Sequence, residues 1–199
     1  MFCSQRCDVA AMKRLDAFVS LLTEENSRQN LVANATLPNI WQRHIADSLQ
    51  LLDFVPRETQ AWLDLGSGAG LPGAVIALAR PNISISLVES RKRRIEWLLR
   101  LTEHFDLGNC SVVGARLEKT DTFAAGIITA RAFAPLPKLL DISSRFSTHS
   151  TVWLLPKGRS GRQELMQQPF GVRRMFHVEQ SKTDPDASIL VGRGRPDRS

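Results

Sequence analysis

The residues of this chain best placed to do chemistry cluster in one segment, Asp64-Leu65-Gly66-Ser67-Gly68-Ala69-Gly70-Leu71-Pro72-Gly73. Glycines at a strand-to-helix turn let the backbone approach a ligand closely, and the helix N-terminus behind them favours negative charge. The segment therefore reads as a loop for a nucleotide-type cofactor, or as a tight glycine turn with no ligand. A dinucleotide fingerprint wants glycine at the first, third and sixth positions. Here the sixth is Leu71, Gly70 falls fifth, and an acid stands two residues before the first glycine. That departure disfavours a nicotinamide or flavin ligand. A second acid, Glu89, closes the apolar run Ile83–Val88, 23 residues after Gly66. A carboxylate at such a strand end can accept hydrogen bonds from the hydroxyls of a ribose, or can simply be solvated. Loop and acid together point to an adenosine-containing ligand. No convincing Ser/His/Asp or Cys/His set accompanies them. Cys3, Cys7 and Cys110 make an odd, sparse group that suits a reducing cytoplasm better than a disulfide framework, and Cys3 and Cys7 lack a second pair for zinc.

The elements that must position these residues can be read from apolar spacing. Ala61–Leu65, Ile83–Val88, Ser111–Val113, Gly126–Ala130 and Val152–Leu155 read as strands, with Leu71–Arg80, Arg91–Phe105 and Leu136–Phe146 as intervening helices. Strand runs without strict alternation, separated by helices, imply a parallel sheet covered on both faces. The right-handed crossover rule makes this an α/β doubly wound, mostly parallel sheet, whose ligands bind beyond the carboxyl ends of the strands. Upstream, residues 9–22 carry Leu15, Phe18 and Leu22 at helical spacing, and Thr23–Asn30 is a polar stretch. Pro38 to about Leu52 predicts a second helix with Trp41, Ile45, Leu49 and Leu52 on one stripe. The expected organisation is a single domain over 1–199: a short helical N-terminal extension over 1–56, an α/β core over 61–192 and a basic flexible tail over 193–199.

Composition bounds the class. The 199 residues hold 26 Lys+Arg against 20 Asp+Glu, a net charge of +6, with 43% hydrophobic and 23% charged residues. That balance excludes a disordered chain and fits a soluble globular protein. The longest uncharged stretch, Leu65–Ala79, is too short and glycine-rich to span a bilayer, and the N-terminus lacks a secretory signal pattern. The basic excess fits a polyanionic partner without naming one.

At this point the sequence resembles the class I S-adenosylmethionine-dependent methyltransferases, and more narrowly the bacterial small-subunit ribosomal RNA methyltransferase G family (glucose-inhibited division protein B). The resemblance covers roughly residues 26–160. It rests on the Asp64–Gly73 loop with its Leu-Pro-Gly ending and on Arg43-His44-Ile45-Ala46-Asp47-Ser48-Leu49, preceded by Asn30-Leu31. Val88-Glu89-Ser90, Arg116-Leu117-Glu118, Arg131-Ala132-Phe133-Ala134 and Lys157-Gly158 follow in the family's order. The glycine loop is shared by many methyltransferases; the Arg-His-x-x-Asp-Ser and Arg-Ala-Phe-Ala elements are far more specific.

The resemblance implies methyl transfer to N7 of a guanine in 16S ribosomal RNA, near the decoding site. It implies S-adenosyl-L-methionine as cofactor, and small-subunit RNA or an assembling small subunit as partner. Gly66 and Leu71 would line the cofactor, Gly68 and Gly70 would shape the turn, and Glu89 would hold the ribose. Leu117 and Glu118 would border the adenine, and Asp64 would orient the loop or face the methionine ammonium. Arg131 would sit beside the methionine end or the incoming RNA, and Lys157 would contact a phosphate or base. These two are the expected catalytic positions. Arg43, His44, Asp47 and Ser48 would serve the substrate. A monomer without metal or membrane is expected. Two rival classes stand beside this reading: an NAD-dependent oxidoreductase, and a non-catalytic RNA-binding or ribosome-assembly protein. Arg91–Arg94 reads as a solvated face or an RNA contact.

Overall fold

A computed structural model describes residues 2–56, 58–59 and 61–196. Seven strands form one sheet in the order β3-β2-β1-β4-β5-β7-β6: β1 Ala61–Leu65, β2 Ser84–Val88, β3 Cys110–Val113, β4 Ile127–Ala130, β5 Val152–Lys157, β6 Phe176–Gln180 and β7 Ser188–Arg193. The first five pair in parallel, whereas β7 pairs antiparallel with both β5 and β6. The order reverses at β1, which lies between β2 and β4, and such a reversal opens a crevice at the carboxyl ends of the strands.

Period-two alternation divides the core between the faces. Trp62, Ile127 and Leu154 pack on the side of helices α1 (Val9–Asn26), α3 (Gly73–Ala79) and α4 (Lys92–His104). Leu63, Ile128, Trp153 and Leu155 pack on the side of α5 (Leu136–Ser143). Helix α1 begins at an Asp8 N-cap that accepts from Ala11 N–H at 2.6 Å. It runs past the expected end at residue 22 to Asn26, where Glu25 has a tertiary partner and Asn26 ties down the following turn. Glu25 pairs with Arg100 of α4 at 2.8 Å, and the Asn26 side-chain Oδ1 accepts from Leu31 and Val32 N–H.

The predicted second helix is a single helical run of shifting register. It begins as a 3-10 turn (Asn34–Asn39), widens to a π segment (Trp41–Ala46), passes through one α turn (α2, Asp47–Leu49) and tightens again (Gln50–Phe54). The apolar stripe holds its place, with Ile45 and Leu49 fully buried. Helices α6 (Gly161–Met166) and α7 (Phe170–Met175) and strands β6 and β7 complete the fold beyond the five strands read from sequence. The expected flexible tail over 193–199 begins too early. Arg193 ends β7 opposite Val152, and the Gly194 carbonyl accepts the Trp153 indole N–H at 2.8 Å. Residues 197–199 of that tail lie outside the described residues. Among the described residues no helix is long and apolar enough to cross a membrane, and no His/Cys/Asp/Glu group could hold a metal ion.

Candidate functional site

Two clefts open beside the carboxyl ends of β1, β2, β4 and β5, separated by the Arg131–Ala134 turn that follows β4. One, of about 320 Å3, is lined by Gly66, Glu89, Ser90, Leu117, Glu118 and Phe133, among others. The other, of about 270 Å3, is lined by Arg43, Asp47, Arg131, Lys157, Thr183 and Asp184, among others. Ala132 lines both, and its φ of +51° is one that L side chains rarely adopt. Left-handed backbone at a non-glycine costs about 1 kcal/mol or more and concentrates at functional sites.

The glycine loop forms the floor of the first cleft. Gly66 has φ +66°, and a Cβ there would lie 2.5 Å from the Phe133 ring, so only glycine lets the β4 turn close over the loop. Gly66 and Ser67 N–H both donate to the Val88 carbonyl, at 2.8 and 3.1 Å, tying the loop to β2. Asp64 is fully buried beneath it. Its Oδ1 accepts from the Thr129 hydroxyl at 2.6 Å, and Thr129 in turn accepts the Trp62 indole N–H at 2.8 Å. Asp64 Oδ2 accepts from Gly73 N–H at 3.3 Å. Burial pushes its carboxyl up to about 6, against the hydrogen bonds of Thr129, Ser67 and Gly73, which favour the ionised form. Asp64 thus anchors the loop from below and does not line the cleft.

Glu89 is buried at the end of β2. Its Oε1 accepts from Ser90 N–H at 2.7 Å and Arg91 N–H at 2.9 Å, and its Oε2 from Gly68 N–H at 3.1 Å. Three donors on a group with about four acceptor directions leave one direction for a ligand hydroxyl. Leu117, buried, and Glu118, exposed, stand on the 3-10 turn Leu117–Lys119 at the far side. The Leu71 side chain points into the core with α3 and α4, and Gly70 packs on Ala74, Leu98 and Leu101. Neither of these two lines the cleft.

The second cleft is built from opposite ends of the chain. Arg43 and Asp47, four apart on the helical run, face it, whereas His44 and Ser48 face inward. His44 Nε2 lies 2.8 Å from the Thr36 hydroxyl, which itself donates to the Ala33 carbonyl, so the histidine carries its proton on Nε2. Burial, with Arg131 and Arg43 nearby, holds its pKa down at about 4. Ser48 donates to the His44 carbonyl. The β6–β7 loop supplies the other wall: Thr183 donates to Asp47 Oδ1 at 2.8 Å, Asp184 pairs with Arg43, and Gln50 binds Lys182 N–H through its carbonyl at 2.8 Å. No sequence spacing marked Ser181, Thr183 or Asp184, because their partners lie some 130–140 residues away.

Arg131 projects into this second cleft. Its Nη2 donates to the Arg43 carbonyl at 3.1 Å and stands 3.7 Å from Asp47, while its buried Nη1 has no partner among the described residues. That donor is buried and unsatisfied behind the wall of the second cleft, the kind of polar atom that is rare in a folded interior. Lys157 is held by Glu164 at 2.8 Å, and Glu164 also accepts from Leu136 N–H, so the lysine ties β5 to α6 at the cleft edge.

A Rossmann-like sheet with β7 inserted antiparallel between β5 and β6, a Gly-x-Gly-x-Gly loop after β1 and an acid after β2 define the class I methyltransferase fold. Solved structures agree on the fold. A methyltransferase from Geobacter sulfurreducens superposes with a TM-score of 0.63 at 14% identity, covering 90% of this chain and 89% of that one. A SAM dependent methyltransferase from Aquifex aeolicus gives 0.58 at 13%, covering 78% and 92%. The chain belongs to the rRNA small subunit methyltransferase G family, whose model matches residues 11–183. It is 56% identical over 194 residues to the ribosomal RNA small subunit methyltransferase G of Erythrobacter litoralis, covering 98% of this chain and 94% of that one. It is 54% identical over 189 residues to that of Novosphingobium aromaticivorans, covering 94% and 82%.

Proposed function

We propose that this protein transfers the methyl group of S-adenosylmethionine to N7 of a guanine in 16S ribosomal RNA, in the cytoplasm and as a monomer. The observation that carries the reading is the meeting of the two clefts at Arg131–Ala132–Phe133. A loop-and-acid cleft suited to an adenosine lies on one side, and a polar cleft suited to a base lies on the other.

The residues fit the cofactor. Glu89 keeps one acceptor direction for a ribose hydroxyl, and Leu117 offers an apolar edge to an adenine. Bound there, the sulfonium supplies an already activated methyl group. Guanine N7 brings a free lone pair and loses no proton, so the chain needs no general base. His44, buried and neutral, offers none to either cleft. What the chain contributes is position: Asp64 and Glu89 fix the loop, while Arg43, Asp47 and Arg131 hold the base side rigid. The purine gains positive charge as its N7 is methylated. Carboxylates at Asp47 and Asp184 suit that change.

Calorimetry with S-adenosylmethionine and NAD separately, followed by labelled-methyl transfer and mass-spectrometric mapping on small subunits and their RNA, tests the reading. Binding of the methyl donor and a single labelled guanine support it. NAD binding alone, or tight cofactor binding with no label on any ribosomal RNA, overturns it.

A further inference from the structure

The lining of the first cleft holds more positive charge than its cofactor needs. Four cations edge it: Arg91 after β2, Arg94 in the first turn of α4, Arg116 after β3 and Lys138 in the first turn of α5. Arg91, Arg116 and Lys138 are exposed. No side chain of the four forms an ion pair, hydrogen bond or ring contact among the described residues; the Arg94 guanidinium lies over the glycine loop, close to Gly68. Of the two carboxylates in the same cleft, Glu89 is engaged by three backbone N–H groups, and Glu118 stands exposed at the edge.

The local sequence makes this arrangement costly on its own terms. The first turn of α4 carries Lys92, Arg93 and Arg94 and no acid, where the helix dipole favours the opposite sign. Lys92 is met by Glu96 at 4.0 Å and Arg93 donates to the Arg28 carbonyl at 3.5 Å, whereas the Arg94 side chain has no partner among the described residues. A cation that breaks a local rule without compensation is expected where a partner supplies the missing charge. S-adenosylmethionine has no phosphate, and its one carboxylate is outweighed by its ammonium and sulfonium, so the cofactor does not supply it. The second cleft differs in kind. Its three cations are each matched within the chain, Arg43 by Asp184, Arg131 by Asp47 and Lys157 by Glu164, so a phosphate bound there would have to displace a carboxylate.

We propose that Arg91, Arg94, Arg116 and Lys138 form a phosphate-binding collar around the mouth of the cofactor cleft. The ribose-phosphate backbone of the RNA lies across this collar while the target base enters the charge-paired cleft beyond Ala132. The inference rests on the RNA-substrate reading above. It moves the grip on the backbone from Lys157 to the opposite side of the Arg131–Ala134 turn. RNA across the collar also covers the loaded cofactor.

The test measures binding of small-subunit RNA by fluorescence anisotropy over a salt series, with cofactor affinity measured separately by calorimetry. Arg91→Ala, Arg116→Ala and Lys138→Ala should each weaken RNA binding roughly fivefold near 0.1 M salt. Each should flatten the log–log salt slope by about 0.7–0.9, the value for one lost phosphate contact. Cofactor affinity should stay within about twofold, and Arg91→Lys or Lys138→Arg should restore the slope. Wild-type slope and affinity in all three alanine variants overturn the collar, as does a loss of cofactor affinity matching the loss of RNA affinity. Because the readout is binding, it decides the collar separately from the activity. A protein that binds RNA through the collar but transfers no methyl group would sink the proposed reaction and leave the collar standing.

Discussion

The two clefts share the Arg131–Ala134 turn as a wall, yet their charges are held in different ways. At the cofactor cleft the buried acids are satisfied mostly by backbone: Glu89 by three N–H groups, and Asp64 below it by Gly73 N–H and the Thr129 hydroxyl. The cations around its mouth are left open. In the base cleft each cation has a carboxylate partner, and two of the three pairs join segments far apart in sequence. The first arrangement is built locally, within βα turns, and leaves charge for a polyanion. The second is built by tertiary closure of the β6–β7 loop on the N-terminal helical run. It presents a rigid, nearly neutral surface, which suits a flat base better than a phosphate chain.

The largest expected effect tests the locally built cleft. Glu89→Ala leaves Gly68, Ser90 and Arg91 N–H groups without their acceptor and removes the ribose partner. Cofactor affinity should fall about a hundredfold or more (~3 kcal/mol), read by calorimetry, with RNA binding little changed. Unchanged cofactor affinity would remove Glu89 from the site.

Asp47→Ala probes the other side. It strips Arg131, Thr183 and Gln50 of a shared acceptor, so turnover on RNA should drop roughly tenfold or more while cofactor affinity holds within about twofold. Equal losses in both quantities would show that the clefts are not separable.

The pH dependence of stability should carry opposite signs behind the two walls. His44, behind the base cleft, has a pKa held down at about 4, so its neutral form contributes stability that is present above pH 6.5 and is lost as pH falls toward 4. Asp64, beneath the glycine loop, has a pKa pushed up to about 6. Its protonated form contributes stability that is present below 3.8 and is lost as pH rises through 6. In urea titrations His44→Gln should therefore gain about 2 kcal/mol relative to wild type between pH 7 and pH 4. A constant difference across that range would contradict the buried neutral histidine.

The smallest effect concerns the shared wall. Ala132→Gly relieves the left-handed strain at φ +51° but adds freedom to the unfolded chain, so the net gain should be under about 1 kcal/mol. A clear loss of stability would mean that the Ala132 methyl group packs as part of the wall.

Sequence spacing carried the five parallel strands because each is a short apolar run bounded by turn residues, and β1 over Ala61–Leu65 agrees to the residue. Strands β6 and β7 escaped it. Phe176–Gln180 alternates but offers only two apolar residues, Phe176 and Val178, and Ser188–Arg193 lies beside a glycine- and arginine-rich end that reads as frayed. The register changes within Asn34–Phe54 were equally hidden. Apolar spacing near 3.6 is kept by 3-10, π and α turns strung together, so the stripe does not mark where each begins.

At the site, the motif residues Gly66, Glu89, Leu117 and Glu118 reach one cleft because neighbouring parallel strands end at the same edge. The acid of the loop motif, Asp64, turns out to hold the loop from beneath. Arg43 and Asp47 separate from His44 and Ser48 by helical phase, a division visible in spacing once the buried stripe is known.

The sequence by itself determined the five parallel strands, the glycine turn and the acid after β2, since these depend on local propensity and on covalent order along βα units. Only the tertiary structure decided which cations are free and which are matched. Whether a lysine or arginine finds a carboxylate depends on what the fold brings within about 4 Å, and that distance has no counterpart in residue spacing.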